Sequence, residues 1–231
     1  MGLDLEVGIV ADLKRHDAEG YQHFREEFER LNRFLVDAGL EPHREPEDLP
    51  EERLFSCQMW GYSGLHHLRR IAAHLALGRP IPEPINGDAS NDPIVAKYYA
   101  LVTGSHGFLT RLLRRKQAEL QFQHLMLHSD AEGYYLPQDF SSVLFPPEQM
   151  KIAGAMVGSV TKLLEECRQL AAIMKIPTDL DHESDEMWSA ADQRDHSDTS
   201  WKRYGVEAFG CLRLIRGCEA SLATGAALVF C

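Results

Sequence analysis

The sequence predicts a mainly α fold: a single helical domain, residues 1–231, with one short β-hairpin, that is, α+β with minor β. Three observations predict it. Apolar residues recur at three-to-four spacing along several capped segments. Only one stretch has a convincing strand-turn-strand pattern. The length of 231 residues is ample for one real core, at 44% hydrophobic and 26% charged residues.

Taken in order, Tyr21, Phe24, Phe28, Leu31, Phe34 and Leu35 define the first amphipathic helix, which Asp17 can cap and Gly39 can end. A loop rich in Pro and Glu follows. "YSGLHHLRRIAAHLALG" is a second helix stopped by Gly78 and Pro80. "RPIPEPINGDASNDP" is a stiff surface connection between helical flanks. A third helix is expected over Ile94 to Val102 and a fourth through "GFLTRLLRRKQAE". "FQHLMLH" and "YYLPQDF" flank a turn holding Asp130, Glu132 and Gly133, which reads as the hairpin. Pro146 and Pro147 should open a long helix to about Met174. An acidic segment, "TDLDHESDEMWSAADQRDHSD", leads to a last helix over roughly Trp201 to Ala227. In that helix Gly210, Gly217, Ala220 and Gly225 permit close packing.

Charge and cysteine usage bound the function. A formal net charge of -11 repels phosphates and anionic membranes, which argues against nucleic acid and membrane as partners and suits a basic protein. The five cysteines have no CxxC spacing, as expected of buried thiols in a reducing compartment. The first residues do not read as a signal peptide, and "ASLATGAALVFC" is too short to span a bilayer, so the cytoplasm is expected.

No metal motif is complete, and no metal or other cofactor is expected. His124 and His128 have i, i+4 spacing, but Leu125 stands where HExxH needs Glu. His67 and His74 share the helix face opposite the Leu68, Ile71, Ala72 and Leu75 stripe, where histidines are usually solvated. "DLDHESD" and "NGDASND" start like calcium loops but hold Ser184 and Asn91 at the glycine position. GxSxG, Walker A and GxGxxG are missing. The basic patch of Arg111, Arg114, Arg115 and Lys116 is expected to pair with carboxylates.

What remains is "HSDAEG", after the fourth helix. Asp130 and Glu132 beside a glycine turn suit a cation or acid-base work, or Asp130 simply shapes the turn. Arg69 lies about 90° from the centre of its apolar stripe at 100° per residue, and so wants a carboxylate, Asp130 or Glu132. The candidate ligand-binding residues are therefore Tyr62, Ser63, Arg69, His128, Asp130 and Glu132.

Three landmarks line up: Tyr62, Ser63, Gly64 and Arg69; Ser129, Asp130, Glu132 and Gly133; Gly225, Ala226, Val229 and Phe230. Together they resemble a loose group of small bacterial proteins, some with the look of immunity-type proteins. The resemblance implies no activity. Leu65 and His66 depart from the group, which has an aromatic residue and asparagine there. The expectation is a non-enzymatic bacterial binding protein, immunity-like and acting through an acidic surface. The alternative is a hydrolase-type enzyme around Arg69, Asp130 and Glu132.

Overall fold

The structure, a computed structural model, describes residues 3–59, 61–103, 120–195 and 197–231; for Tyr62 and Thr103 it describes the backbone alone. Five strands form one mixed sheet: β1 (Asp4–Val7), β2 (Phe55–Gln58), β3 (Gly133–Leu136), β4 (Val157–Ser159) and β5 (Leu228–Phe230). The order is β2-β1-β5-β3-β4. β1 runs antiparallel to β2 and β5, β5 antiparallel to β3, and β3 parallel to β4.

Helices cover both faces of this sheet. On one lie α1 (Ile9–His16) and α2 (Ala18–Asp37). On the other is a larger layer that includes α3 (Gly61–Ala76), α4 (Pro93–Thr103), α5 (Gln123–Leu127), α6 (Val160–Met174), α7 (Asp185–Gln193) and α8 (Gly205–Thr224). Successive strand residues serve the two layers alternately. Tyr135, Leu228 and Phe230 enter the larger core, while Tyr134, Leu136 and Val229 pack against Phe28, Leu31 and Leu35 of α2. Burying each such α2 side chain is worth about 1.5–3 kcal/mol.

Local chemistry sets the helix ends. Asp17 accepts the amides of Glu19 (3.0 Å) and Gly20 (3.1 Å), and Gly39 closes α2 at φ 78°. Ser159 Oγ caps α6 through the Lys162 amide at 3.3 Å, and Ser184 Oγ caps α7 through the Met187 amide at 3.3 Å. α8 is buried almost all round, as a helix apolar on every side should be. Its glycines bring neighbours close: a Cβ on Gly205 would stand 2.0 Å from the Ala190 carbonyl oxygen, and one on Gly210 3.3 Å from Met59 Cε.

Several expectations are corrected. The described residues are mostly helical, with eight α-helices, as expected, but the β part is a five-stranded mixed sheet rather than one hairpin. "FQHLMLH" forms α5 rather than a strand, so β3 pairs with β4 and β5 and no hairpin turns at Glu132 and Gly133. Pro146 and Pro147 precede a short 3-10 turn, and the long helix starts only at Val160, after β4. The final helix ends at Thr224, and the residues behind it enter the sheet as β5. His67 is buried beside Glu207 (3.7 Å) and His74 reaches Asp92 (3.2 Å), because α8 and α4 cover what seemed a polar face of α3. The expected fourth helix and its basic patch lie outside the described residues. No helix among the described residues is long and apolar enough to cross a membrane.

Candidate functional site

Two features stand out, a polar pocket beside α3 and an acidic surface. The pocket begins with Arg69, 4% exposed on α3. Its Nε donates to the Leu125 carbonyl at 2.8 Å and its Nη2 to the His128 carbonyl at 2.6 Å. These carbonyls belong to the end of α5, where the last C=O groups have no partner within the helix. Nη1 lies 3.6 Å from Asp130 Oδ1, and His66 Nε2 lies 2.8 Å from Asp130 Oδ2. Burial works against ionised Asp130, but the His66 hydrogen bond and the Arg69 charge outweigh it and hold the carboxyl below its usual range. His66, Arg69, Ser90, Val95, Ala96, Tyr99 and Asp130 line a cavity of about 430 Å³.

The other sequence candidates have separate places. Glu132 Oε1 accepts the Gly154 amide at 3.2 Å, and no ion pair joins it to Arg69 among the described residues. His128 is a core side chain, stacked on Tyr135 at 3.9 Å with Phe230 at 5.0 Å. Its two ring nitrogens face the Ser129 and Tyr134 carbonyls, and burial pulls its pKa down to about 4. Ser129 Oγ holds the turn through the amides of Ala131 (3.3 Å) and Glu132 (3.4 Å). Ser63 is exposed on α3, and the Tyr62 side chain lies outside the described residues. His66 was not singled out from the sequence, although the i, i+4 series His66, Arg70 and His74 marks one face. Asp92 serves that same face, reaching Arg70 Nε at 2.7 Å and His74 Nε2 at 3.2 Å. Among the described residues, no three His, Cys, Asp or Glu side chains gather as a metal-ligand set.

The acidic surface has two parts. Residues 178–198 carry eight carboxylates against one arginine, Arg194. α8 holds this segment from beneath. Arg213, wholly buried, reaches Glu183 Oε1 at 2.8 Å, with its guanidinium 3.4 Å from the Phe209 ring centroid and 5.0 Å from that of Trp188. Arg216 Nη2 donates to the carbonyls of Thr178 (3.4 Å) and Leu180 (3.3 Å). Asp185, Glu186, Asp195 and Asp198 border a cleft of about 350 Å³, in which Lys202 is the one cation among the described residues that line it. Hydrogen bonds from Ser197 and Ser200 keep Asp195 and Asp198 below the usual carboxylate range, so both stay ionised well into acid. The second part is α2, where Glu19, Glu26, Glu29 and Asp37 are exposed. Of the helix's three arginines, Arg25 and Arg30 turn instead to Glu47 and Glu27, while Arg33 stands exposed among the carboxylates.

Residues 1–230 match a protein-family model described as "Putative DNA-mimic protein". No curated protein and no solved structure matches the chain.

Proposed function

Because the chain belongs to the DNA-mimic family, we propose that it is a non-enzymatic protein whose carboxylates stand in for phosphates on a basic, DNA-binding partner. The observation that carries this reading is segment 178–198, with eight carboxylates against one arginine, tied to α8 by Arg213 and Arg216. Duplex DNA presents about one negative charge per 1.7 Å of its axis, and its binding proteins are built to neutralise it. A fixed array of carboxylates offers such a protein the same electrostatic target.

The α2 face supports the reading from helix geometry. At 100° per residue, Glu19, Glu26 and Asp37 fall within about 20° of one another, with the exposed Arg33 about 20° beyond Glu26 as the cation on that stripe. At a rise of 1.5 Å per residue they span about 27 Å, or roughly eight phosphate steps along one DNA strand. The setting we infer is the bacterial cytoplasm, and the role immunity-like: occupying a partner's DNA-binding surface. The hydrolase-type alternative around Arg69, Asp130 and Glu132 is weakened by the separate engagement of Glu132 with the Gly154 amide.

The test is a column of the immobilised protein loaded with bacterial lysate and eluted with duplex DNA. A fraction of DNA-binding proteins should elute. It should be largely lost on a column of the variant carrying Glu19→Gln, Glu26→Gln, Asp37→Asn, Asp179→Asn, Glu186→Gln and Asp192→Asn. Retention that DNA does not reverse, or that survives neutralisation of all six sites, would sink the reading.

A further inference from the structure

We infer that the cavity between α3, α4 and the Ser129–Asp130 turn is a small-molecule site. Its ligand is neutral and planar, with an N–H donor next to a carbonyl or ring-nitrogen acceptor, as on the edge of an amide or a nucleobase. DNA mimicry makes no use of this cavity, and the inference does not rest on it.

The donor and acceptor are already in place. At 3.6 Å, Arg69 Nη1 and Asp130 Oδ1 are too far apart for a hydrogen bond, yet both residues line the same cavity. Each is fixed from behind. Arg69 is anchored through Nε and Nη2 on the carbonyls of Leu125 and His128, and Asp130 through Oδ2 on His66 Nε2. Nη1 makes no hydrogen bond among the described residues, and Oδ1 has lone pairs to spare. A ligand edge with adjacent donor and acceptor satisfies both at once. The geometry is set before the ligand arrives, so little ordering is lost on binding.

Charge and shape narrow the class. Arg69 and Asp130 carry opposite charges side by side, so a net anion is opposed by the carboxylate and a net cation by the guanidinium. Val95 and Ala96 give the cavity an apolar wall, suited to the face of a flat ring. The volume of about 430 Å³ lies in the range of small-molecule pockets, which are mostly apolar with a few placed polar groups. Ser90 turns its hydroxyl to Asp88 at 2.7 Å and leaves recognition to the Arg69–Asp130 pair.

The experiment is a two-dimensional NMR titration of the full chain with adenine, cytosine, uracil and nicotinamide, using benzoate and benzylamine as charged controls. At least one neutral probe should give saturable shifts at the amides of Val95, Ala96 and Asp130, and the controls none. Ala96→Phe, which fills the cavity from an exposed position, should abolish those shifts. Asp130→Asn should weaken binding about tenfold. Neither variant should change retention of DNA-elutable proteins on the column described above, which separates this inference from the proposed function. No saturable shift from any neutral probe, shifts that persist in Ala96→Phe, or equal binding of the charged controls would overturn the assignment.

Discussion

Arg213 Nη2 lies 2.8 Å from Glu183 Oε1, and the two differ sharply in setting: the arginine side chain is fully buried and the glutamate is 49% exposed. The pair is the fastening between the acidic segment and the core. Nε and Nη1 of Arg213 have no hydrogen-bond partner among the described residues, so Glu183 is its main compensation besides the Phe209 and Trp188 rings.

Glu183→Ala should therefore destabilise the protein by about 1–3 kcal/mol, since it strips a buried cation of a charged hydrogen bond. Arg213→Met, which keeps the packing and removes the charge, should cost less. Urea melts of both variants decide the matter. A Glu183→Ala midpoint equal to the parent's would show that the bridge contributes nothing.

Arg69→Ala should cost about 2–5 kcal/mol, because it leaves the buried carbonyls of Leu125 and His128 at the end of α5 without their donor. Asp130→Asn, at a half-exposed carboxylate, should cost about 0–1 kcal/mol. Glu132→Gln should stay within about 0.5 kcal/mol of the parent. The same melts check all three. The structural assignment of Arg69 fails if its alanine variant is no weaker than the Glu132 one.

Acid should unfold the protein through its buried histidines. Burial lowers the folded-state pKa of His124 and of His128 from 6.5 to about 4. Between these values the unfolded chain binds more protons than the folded one. The stability contributed is complete above pH 6.5 and is lost as the pH falls towards 4, by about 3 kcal/mol for His128 alone. Glu166, its carboxyl pKa raised by burial to about 7, contributes in the opposite direction over the same range. The loss is therefore read as the difference between the parent and His128→Phe in denaturant melts from pH 7 down to pH 4. An equally steep loss in that variant would remove His128 from the account.

Gly205→Ala should be destabilising by about 1–3 kcal/mol, because the added methyl meets the Ala190 carbonyl oxygen and pushes α7 off α8. Thermal unfolding reads this directly. Gly39→Ala has open space around the new methyl and tests only the left-handed backbone. A Gly205→Ala variant that melts with the parent would mean that the two helices have room to part.

The helices were legible where capping residues and periodicity agree, as in α2 between Asp17 and Gly39 and in α3 up to Gly78. The sheet was not. "GYYL" and "LVF" are buried on both faces, so they lack the polar alternation that marks a half-buried strand. β5 also follows an apolar helix after only Gly225, Ala226 and Ala227, and that helix was expected to run on to about Ala227. α5 was mistaken for a strand because five apolar-rich residues are too few to show a helical period. At the pocket, Arg69 was legible from its angle on the helix. The link between His66 and Asp130 was not, since 64 residues separate them and only the fold brings them together. Nothing in the acidic segment itself marks its anchorage, because Arg213, its buried anchor, lies in a different helix.

The place of β5 sets a timetable for the chain's birth. β1 begins at Asp4 and its neighbour β5 at Leu228, and the two are clamped by mutual hydrogen bonds between Asp4 and Cys231 at 2.8 and 3.1 Å. At about 5–20 residues per second, translation separates these partners by on the order of ten seconds or more. Until β5 emerges, β1 and, once it has been made, β3 each present an open edge at the future middle of the sheet. The ribosome thus hands over every other strand and all eight described helices before the keystone of the sheet emerges.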